Sequence, residues 1–417
     1  MHKKSHRKKY PRTFSWFLLL LPIIFLSLWF FLQREKTDQR QAKLQSFYET
    51  ANIPPGKPGD LIRQEPMDIT APYGKAYRIL YHSELSDGTP TIASGMIFIP
   101  DTKPNAKSGA DLYLIAWAHG TIGMGEQCAP SRSSNPIANI GGLSELLQSG
   151  FIVTATDYYG LGTDGTQHYL IGADEARDVL NSIRAATQFP QTQTSNRFAL
   201  WGHSQGGHAV LFAAHEAKAY APELELVAVA AGAPAAELPT LMQQEYKTAV
   251  PWVIGPEIAV AWPLVYKKLP LNGVLTNAAL QNYQRLAYEC ANTAGIEAII
   301  RNTFDEWFFA SDPNTNPVWR QALEDQTPQP VLDTPLLIVQ GLADTIVLPN
   351  TTALFAKKSC DEGSNLTIEW LADVTHLQTA KIAGPSVASW LQQRFAGEPT
   401  EPTCSQPLPV PPAVDLK

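Results

Sequence analysis

Short apolar runs alternate with stretches of helical spacing over most of the chain. Residues 77–82 (YRILYH) and 92–100 (IASGMIFIP) predict an opening pair of strands. Residues 112–120 (LYLIAWAHG), 151–157 (FIVTATD), 197–201 (RFALW), 224–230 (LELVAVA), 335–341 (PLLIVQG) and 367–372 (TIEWLA) read as further short strands of the buried type. Between them, residues 173–189 and 205–220 space their apolar side chains as a helix does, the second stopped by Pro222. Residues 386–395 predict a closing helix. Strands that alternate with helices need crossover connections, so the expected sheet is mainly parallel and covered on both faces.

The alternation breaks at about 238–330, which reads as a cap inserted over a pocket. Inside it, residues 248–266 hold one charge, Glu257, in 19 residues. A second membrane span is not expected there, because Pro251, Pro256 and Pro263 should break the helix repeatedly. The apolar side chains Trp252, Ile254, Ile258, Val260, Trp262 and Leu264 are instead expected to line that pocket. The Pro-rich tail, 405–417, should be extended and tied down by Cys404.

The N-terminus differs from everything that follows. A basic head, 1–13, carries Lys3, Lys4, Arg7, Lys8, Lys9 and Arg12, and residues 14–32 contain no charge. At about 1.5 Å per residue such a run nearly spans a ~30 Å hydrocarbon core. Basic residues before the run place the N-terminus in the cytoplasm and the remainder outside. The run is long for a signal peptide and no A-x-A site follows, so an uncleaved transmembrane anchor is expected, with a cleaved signal as the alternative. Residues 33–61 read as a linker, and 62–404 as the α/β domain.

With 44% hydrophobic and 17% charged residues, the 417-residue chain is not a disordered one. Its net charge is −7 although six basic residues crowd the head, so the body is acidic and nucleic acid is excluded as a partner. The four cysteines, Cys128, Cys290, Cys360 and Cys404, allow three pairings and show no metal-ligand spacing. In an oxidising compartment two structural bridges are expected.

The candidate chemistry begins at GHSQG (202–206), a G-x-S-x-G between a strand and a helix. A turn this tight leaves no room for neighbouring side chains, hence Gly202 and Gly206, and it projects the nucleophile Ser204 above the sheet. The N–H of Gln205 at the helix start would face an oxyanion. The base should follow the nucleophile in the chain. Of the three later histidines, His208 and His215 belong to the elbow helix, leaving His376, read as lying in the loop after the last strand. The acid should end a strand between them. Asp344, just past the 335–341 run, fits best; Asp373 is the runner-up, while Asp333 precedes its strand and Glu369 lies inside one. A second oxyanion donor should come from the turn after residues 112–118, as the N–H of Gly120 or of Thr121.

Together HGTIGMGEQCAPS (119–131), DYYGLG (157–162), GHSQGG (202–207), GLAD (341–344) and the late His376 resemble the secretory lipase family, α/β-hydrolases similar to fungal lipase A. The resemblance covers roughly residues 62–404. It implies an α/β-hydrolase fold, a mostly parallel sheet with helices on both faces and a helical cap between the last strands, here preceded by one N-terminal transmembrane helix. It implies a Ser204–Asp344–His376 triad and ester hydrolysis without metal or other cofactor. It also implies the pairings Cys128–Cys290 and Cys360–Cys404. The apparent anchor departs from the family's cleavable signal.

The expected activity is hydrolysis of a small-molecule ester or lipid by a lipase or carboxylesterase outside the cytoplasmic membrane, attached through the N-terminal helix. The same groups would serve an aminopeptidase-like serine peptidase, given enough carboxylates in the cap, or an acyltransferase.

Overall fold

The computed structural model describes residues 35–101, 112–138, 140–190 and 194–416. The chain divides into two compact units, Met1–Phe47 and Tyr48–Lys417. In the first, residues 35–47 are helical, which corrects the reading of 33–61 as linker throughout. The stretch EKTDQRQAKLQS is rich in helix formers and free of Pro and Gly, so local propensity favours a helix there. The basic head and the transmembrane segment expected at 14–32 lie outside the described residues. Among the described residues, no helix is long and apolar enough to cross a membrane.

A nine-stranded sheet organises the second unit. Its strands are β1 (Leu61–Pro66), β2 (Gly74–Glu84), β3 (Pro90–Pro100), β4 (Leu112–Ala118), β5 (Ile152–Tyr159), β6 (Thr194–His203), β7 (Glu225–Gly232), β8 (Leu336–Gly341) and β9 (Leu366–Leu371), in the order β1-β2-β3-β5-β4-β6-β7-β8-β9. The first three pair antiparallel, and β3 joins β5 antiparallel; from β5 to β9 every pairing is parallel. This is an α/β-hydrolase sheet, with β6 near its middle.

The two faces carry different helices. On one, α2 (Gly172–Thr187), α3 (Gln205–Tyr220) and α9 (Pro349–Asp361) bury Val179, Ile183, Val210 and Phe355 against Leu114, Leu200 and Ile338. On the other, α1 (Leu143–Gln148) and α10 (His376–Phe395) bury Leu146, Val387 and Leu391 against Ile115, Trp201 and Val339. Side chains alternate between the faces along each strand, so one run of apolar residues serves both layers.

Between β7 and β8 the chain forms α4 (Leu238–Glu245), α5 (Pro251–Val265), α6 (Asn277–Ala287), α7 (Ala291–Thr303) and α8 (Pro317–Asp325). They enclose their own core around Trp252, Ile258, Trp262, Phe308 and Trp319. The expectation that prolines would break this stretch is corrected: α5 runs continuously through Pro256 and Pro263. Pro251 sits in the first turn, where a missing N–H costs nothing, and burial of both tryptophans offsets the backbone bonds lost at the other two.

A second correction concerns the end of the chain. Helix α10 starts ten residues before the expected 386, so His376 is its first residue and not a loop residue. Thr375 is its N-cap and forms a capping box with Gln378, and Pro385 lies inside the helix. Beyond it the tail returns to the body and cap. Ala413 N–H donates to Asn350 O at 2.9 Å, and Thr240 Oγ1 to Val414 O at 3.4 Å.

Candidate active site

Ser204 stands between β6 and α3 with φ 60° and ψ −118°, a conformation that L residues avoid. The glycines around it are sterically required. A Cβ on Gly202 would lie 2.1 Å from Gly206 O, and one on Gly206 would lie 1.9 Å from Ala118 O. The strained turn lifts Ser204 Oγ to within 2.8 Å of His376 Nε2.

The other imidazole nitrogen, His376 Nδ1, donates to Asp344 Oδ2 at 2.7 Å. Asp344 follows β8 and is itself held fast. Its Oδ1 accepts the N–H groups of Ile346 at 2.8 Å and Val347 at 3.0 Å, and Oδ2 accepts Gln340 Nε2 at 3.1 Å. These donors fix the direction in which the carboxylate faces the imidazole. The rival acids lie elsewhere: Asp373 and Asp333 are exposed, and Glu369 accepts from Ser386 at 2.9 Å.

Opposite this relay, Gly120, Thr121 and Gln205 line one cavity with Ser204 and His376. A Cβ on Gly120 would lie 3.2 Å from Ser204 Cβ, so a side chain there would push this turn a few tenths of an ångström from the elbow. The loop that follows is stitched to the cap. Met124 N–H donates to Ala287 O at 2.7 Å, Ala291 N–H to Ile122 O at 2.9 Å, and Cys128 is bonded to Cys290. The second bridge, Cys360–Cys404, fastens the tail to α9.

Several groups in the site carry no sequence motif. Glu175 Oε1 accepts both Gln205 Nε2 at 2.6 Å and Leu170 N–H at 2.9 Å. The neighbouring Tyr169 shares a 2.6 Å hydroxyl hydrogen bond with Thr121. One buried carboxylate thus braces the residue after Ser204 and the segment that braces the facing loop. Helical spacing in α2 gives no sign of this, because Glu175 looks like an ordinary first-turn acid. His119 is buried, with Nδ1–H donating to Gly120 O at 2.7 Å, and burial lowers its pKa, so it stays neutral. His208 and His215 lie on α3 and contact the carbonyls of Gln326 and Gln329, both at 2.8 Å.

The cavity holds about 1520 Å³. On the cap side it is lined by Leu238, Met242, Ile254, Ile258 and Trp262. Of the residues expected to line a pocket under the cap, Ile254, Ile258 and Trp262 do so. Trp252 does not: it is fully buried in the cap core, with Nε1–H donating to Glu306 O at 2.7 Å. Val260 and Leu264 also lie off the cavity, because they fall on other faces of α5. Helix α10 lines the cavity with His376, Leu377, Ala380, Lys381 and Pro385. Among the described residues, no cluster of three or more His, Cys, Asp or Glu side chains is placed to hold a metal ion.

Comparison with known proteins agrees with this architecture. A family model described as secretory lipase matches residues 137–402. A lipase A of Arthroderma benhamiae is 25% identical over 372 residues, covering 84% of this chain and 76% of that protein. A secreted triacylglycerol lipase of Malassezia globosa is 26% identical over 358 residues, covering 80% of this chain and 75% of its own. The crystal structure of Candida antarctica lipase A superimposes with a TM-score of 0.67 at 18% identity, covering 89% of each chain, a likeness of fold.

Proposed function

The chain belongs to the secretory lipase family of carboxylic ester hydrolases, and we propose that it acts through an acyl-enzyme on Ser204, outside the cytoplasmic membrane. The observation that carries this reading is the unbroken relay Ser204 Oγ–His376 Nε2 at 2.8 Å and His376 Nδ1–Asp344 Oδ2 at 2.7 Å, opening onto the cavity. Ser204 attacks the ester carbonyl while His376 takes its proton, and Asp344 stabilises the imidazolium that forms. The N–H of Gln205, with that of Gly120 or Thr121, receives the oxyanion. His376 then protonates the leaving alcohol, and water activated by the same imidazole releases the acid.

The two disulfides and the family's secretory description support an oxidising location. Attachment through the apolar run 14–32 is part of the proposal. Membrane fractionation with N-terminal sequencing tests it, and an exported product starting after Leu32 would show cleavage instead.

The peptidase alternative needs a carboxylate at the cavity for a substrate amine, and none of the cap carboxylates Glu257, Glu289, Glu297, Asp305, Glu306 and Asp312 lines it. Glu289 and Glu297 bond Arg285, and Glu297 and Glu306 bond Arg301. Glu257 is buried, and burial raises its carboxyl well above the usual range, which favours the neutral form. Glu245 reaches the cavity but accepts from Thr248 at 2.7 Å, and burial raises its pKa as well.

The test is labelling by a fluorophosphonate together with hydrolysis of nitrophenyl esters. Ser204→Ala should abolish both. Retention of either would place the chemistry on another residue.

A further inference from the structure

The two sides of the oxyanion site come from different parts of the fold. Gln205 opens α3 directly after Ser204, on a helix packed against the sheet. Gly120 and Thr121 follow β4, and the loop they begin is bonded to the cap through Ile122, Met124 and Cys128. A small displacement of the cap would therefore change the spacing between the two sides unless something joins them.

One continuous run of bonds does join them. Thr121 Oγ1 shares a 2.6 Å hydrogen bond with the Tyr169 hydroxyl. The next residue, Leu170, donates its N–H to Glu175 Oε1 at 2.9 Å, and the same oxygen accepts Gln205 Nε2–H at 2.6 Å. Tyr169, Leu170, Glu175 and Gln205 are each at most 3% exposed, so water does not compete for these bonds. Leu170 is held at φ 53°, a left-handed conformation that a leucine keeps only where its surroundings fix it. Behind the carboxylate, Glu175 Oε2 faces His208 Nδ1 at 3.5 Å, and His208 Nε2–H is anchored on Gln326 O at 2.8 Å. Burial raises the Tyr169 hydroxyl well above its usual range, so it stays neutral beside Thr121. Glu175 itself does not border the cavity, and Tyr169 borders it with its hydroxyl already engaged.

We propose that Thr121, Tyr169, Leu170, Glu175 and Gln205 form a strut that sets the width of the oxyanion hole, with Glu175 and Tyr169 as positioning residues. The proposal rests on the acyl-enzyme reading above. Hydrogen bonds to a developing oxyanion accelerate the reaction only when the donors are placed beforehand. The ester carbonyl of the bound substrate carries less charge and gains less from the same donors, so loosening the strut falls on kcat and not on KM. Acylation and deacylation both pass through an oxyanion in this hole, so kcat falls whichever step limits it.

The test is steady-state hydrolysis of nitrophenyl butyrate by the full chain and by Tyr169→Phe, Glu175→Ala, Glu175→Gln and the double variant Tyr169→Phe/Glu175→Ala. Tyr169→Phe and Glu175→Ala should each lower kcat at least about tenfold and leave KM within about twofold. The double variant should fall no more than about twofold below the weaker single variant, because a strut broken at one link is already broken. Glu175→Gln keeps an oxygen that accepts both N–H groups, and it should recover most of the kcat lost in Glu175→Ala. Labelling of Ser204 by fluorophosphonate should slow in the same order, since the phosphonyl oxygen enters the same hole. Losses that multiply in the double variant, a rise in KM with kcat intact, or an unchanged kcat in Tyr169→Phe overturns the strut and leaves the esterase reading standing. Tyr169→Phe deletes a single hydroxyl, so its result decides even where Glu175→Ala does not fold. A wild-type enzyme that neither turns over the ester nor takes the label on Ser204 overturns the acyl-enzyme reading and the strut together.

Discussion

The imidazole of His203 lies against that of His376, ring centroids 4.7 Å apart, with its Nε2–H donating to the His376 carbonyl at 3.0 Å. Burial, reinforced by the adjacent His376, pushes His203 from 6.5 down to about 3. A neutral ring can pack beside the base without adding a second positive charge. Its effect on stability has a definite sign. The unfolded chain takes up this proton below about 6.5, whereas the folded chain resists it until about 3. The contribution is therefore intact above about 6.5 and is lost as pH falls toward 3, by about 1.4 kcal/mol per pH unit. His203→Gln, which keeps a donor, should flatten the acid side of the Tm-versus-pH curve relative to wild type; an equal slope would refute this.

The acid of the relay can be separated from its sequence neighbour. Asp344→Asn leaves His376 without its anionic partner and should lower kcat by several orders of magnitude, on the order of 10⁴ for a relay carboxylate. Asp373 is exposed and sits at φ 58°, a conformation that Asn tolerates well. Asp373→Asn should leave kcat/KM within about twofold of wild type. Steady-state kinetics on one nitrophenyl ester decides, and a larger loss for Asp373→Asn would reverse the assignment.

What could be read from the sequence, and what could not, divides by physical cause. The parallel strands were legible because strands buried on both faces are continuous apolar runs, as in residues 335–341. Ser204 was legible because its turn tolerates only glycine at 202 and 206. By contrast β1, with the sequence LIRQEP, is half-exposed and has no apolar alternation to betray it. The first half of α10 was hidden because Gly384 and Pro385 interrupt its pattern, yet packing carries the helix through them. Continuity of α5 was hidden for the same reason. The bracing role of Glu175 depends on which loops meet in space, and no local spacing encodes that.

Asp178 should affect stability in the direction opposite to His203. It is buried on α2, accepting Ser83 Oγ at 2.6 Å and Tyr159 N–H at 2.8 Å. Burial outweighs these donors, with Asp174 and Glu175 adding like charge, and pushes its carboxyl from 3.8 up to about 7. The folded chain then holds a proton that the unfolded chain has lost. Stability from this group is full below about 3.8 and is lost as pH rises toward 7, by about 1.4 kcal/mol per pH unit. Because the His203 window overlaps, each term shows only as a difference between variant and wild type. Asp178→Asn should remove the decline between pH 4 and 7, as followed by thermal unfolding. A variant that declines in parallel with wild type would exclude a raised carboxyl here.

The two disulfides should differ in what they protect. Cys128 and Cys290 are 162 residues apart, and Cys360 and Cys404 are 44 apart. In the chain-entropy model each stabilises by about 3–5 kcal/mol, less any strain. Only the first also ties the loop that follows Gly120 and Thr121 to the cap. Replacing Cys128 and Cys290 by Ser should lower both Tm and kcat. Replacing Cys360 and Cys404 should lower Tm and leave kcat nearly unchanged. An equal loss of kcat in both double variants would show that the tether to the loop has no catalytic part.

The cap side of the cavity, where an acyl chain is expected, gives the sharpest separation between a lining residue and a packing residue. Ile254, Ile258 and Trp262 border the cavity, and each CH₂ of a bound chain buried there contributes up to about 0.8 kcal/mol, several-fold in binding. For nitrophenyl esters, kcat/KM should therefore rise from acetate through butyrate or hexanoate until this side is full. Ile258→Trp fills it and should move the optimum to a shorter chain. Trp262→Ala widens it and should flatten the rise. Trp252 is the control within the same helix: it is fully buried, packs edge-on against Phe308 at 5.3 Å and bonds Glu306 O, all away from the cavity. Trp252→Ala should cost about 3–5 kcal/mol of stability and leave the preferred chain length where it was. A flat profile from acetate upward would remove the acyl assignment of this side. A shift of the optimum in Trp252→Ala equal to that in Trp262→Ala would mean that cap integrity, and not contact with the chain, sets the preference.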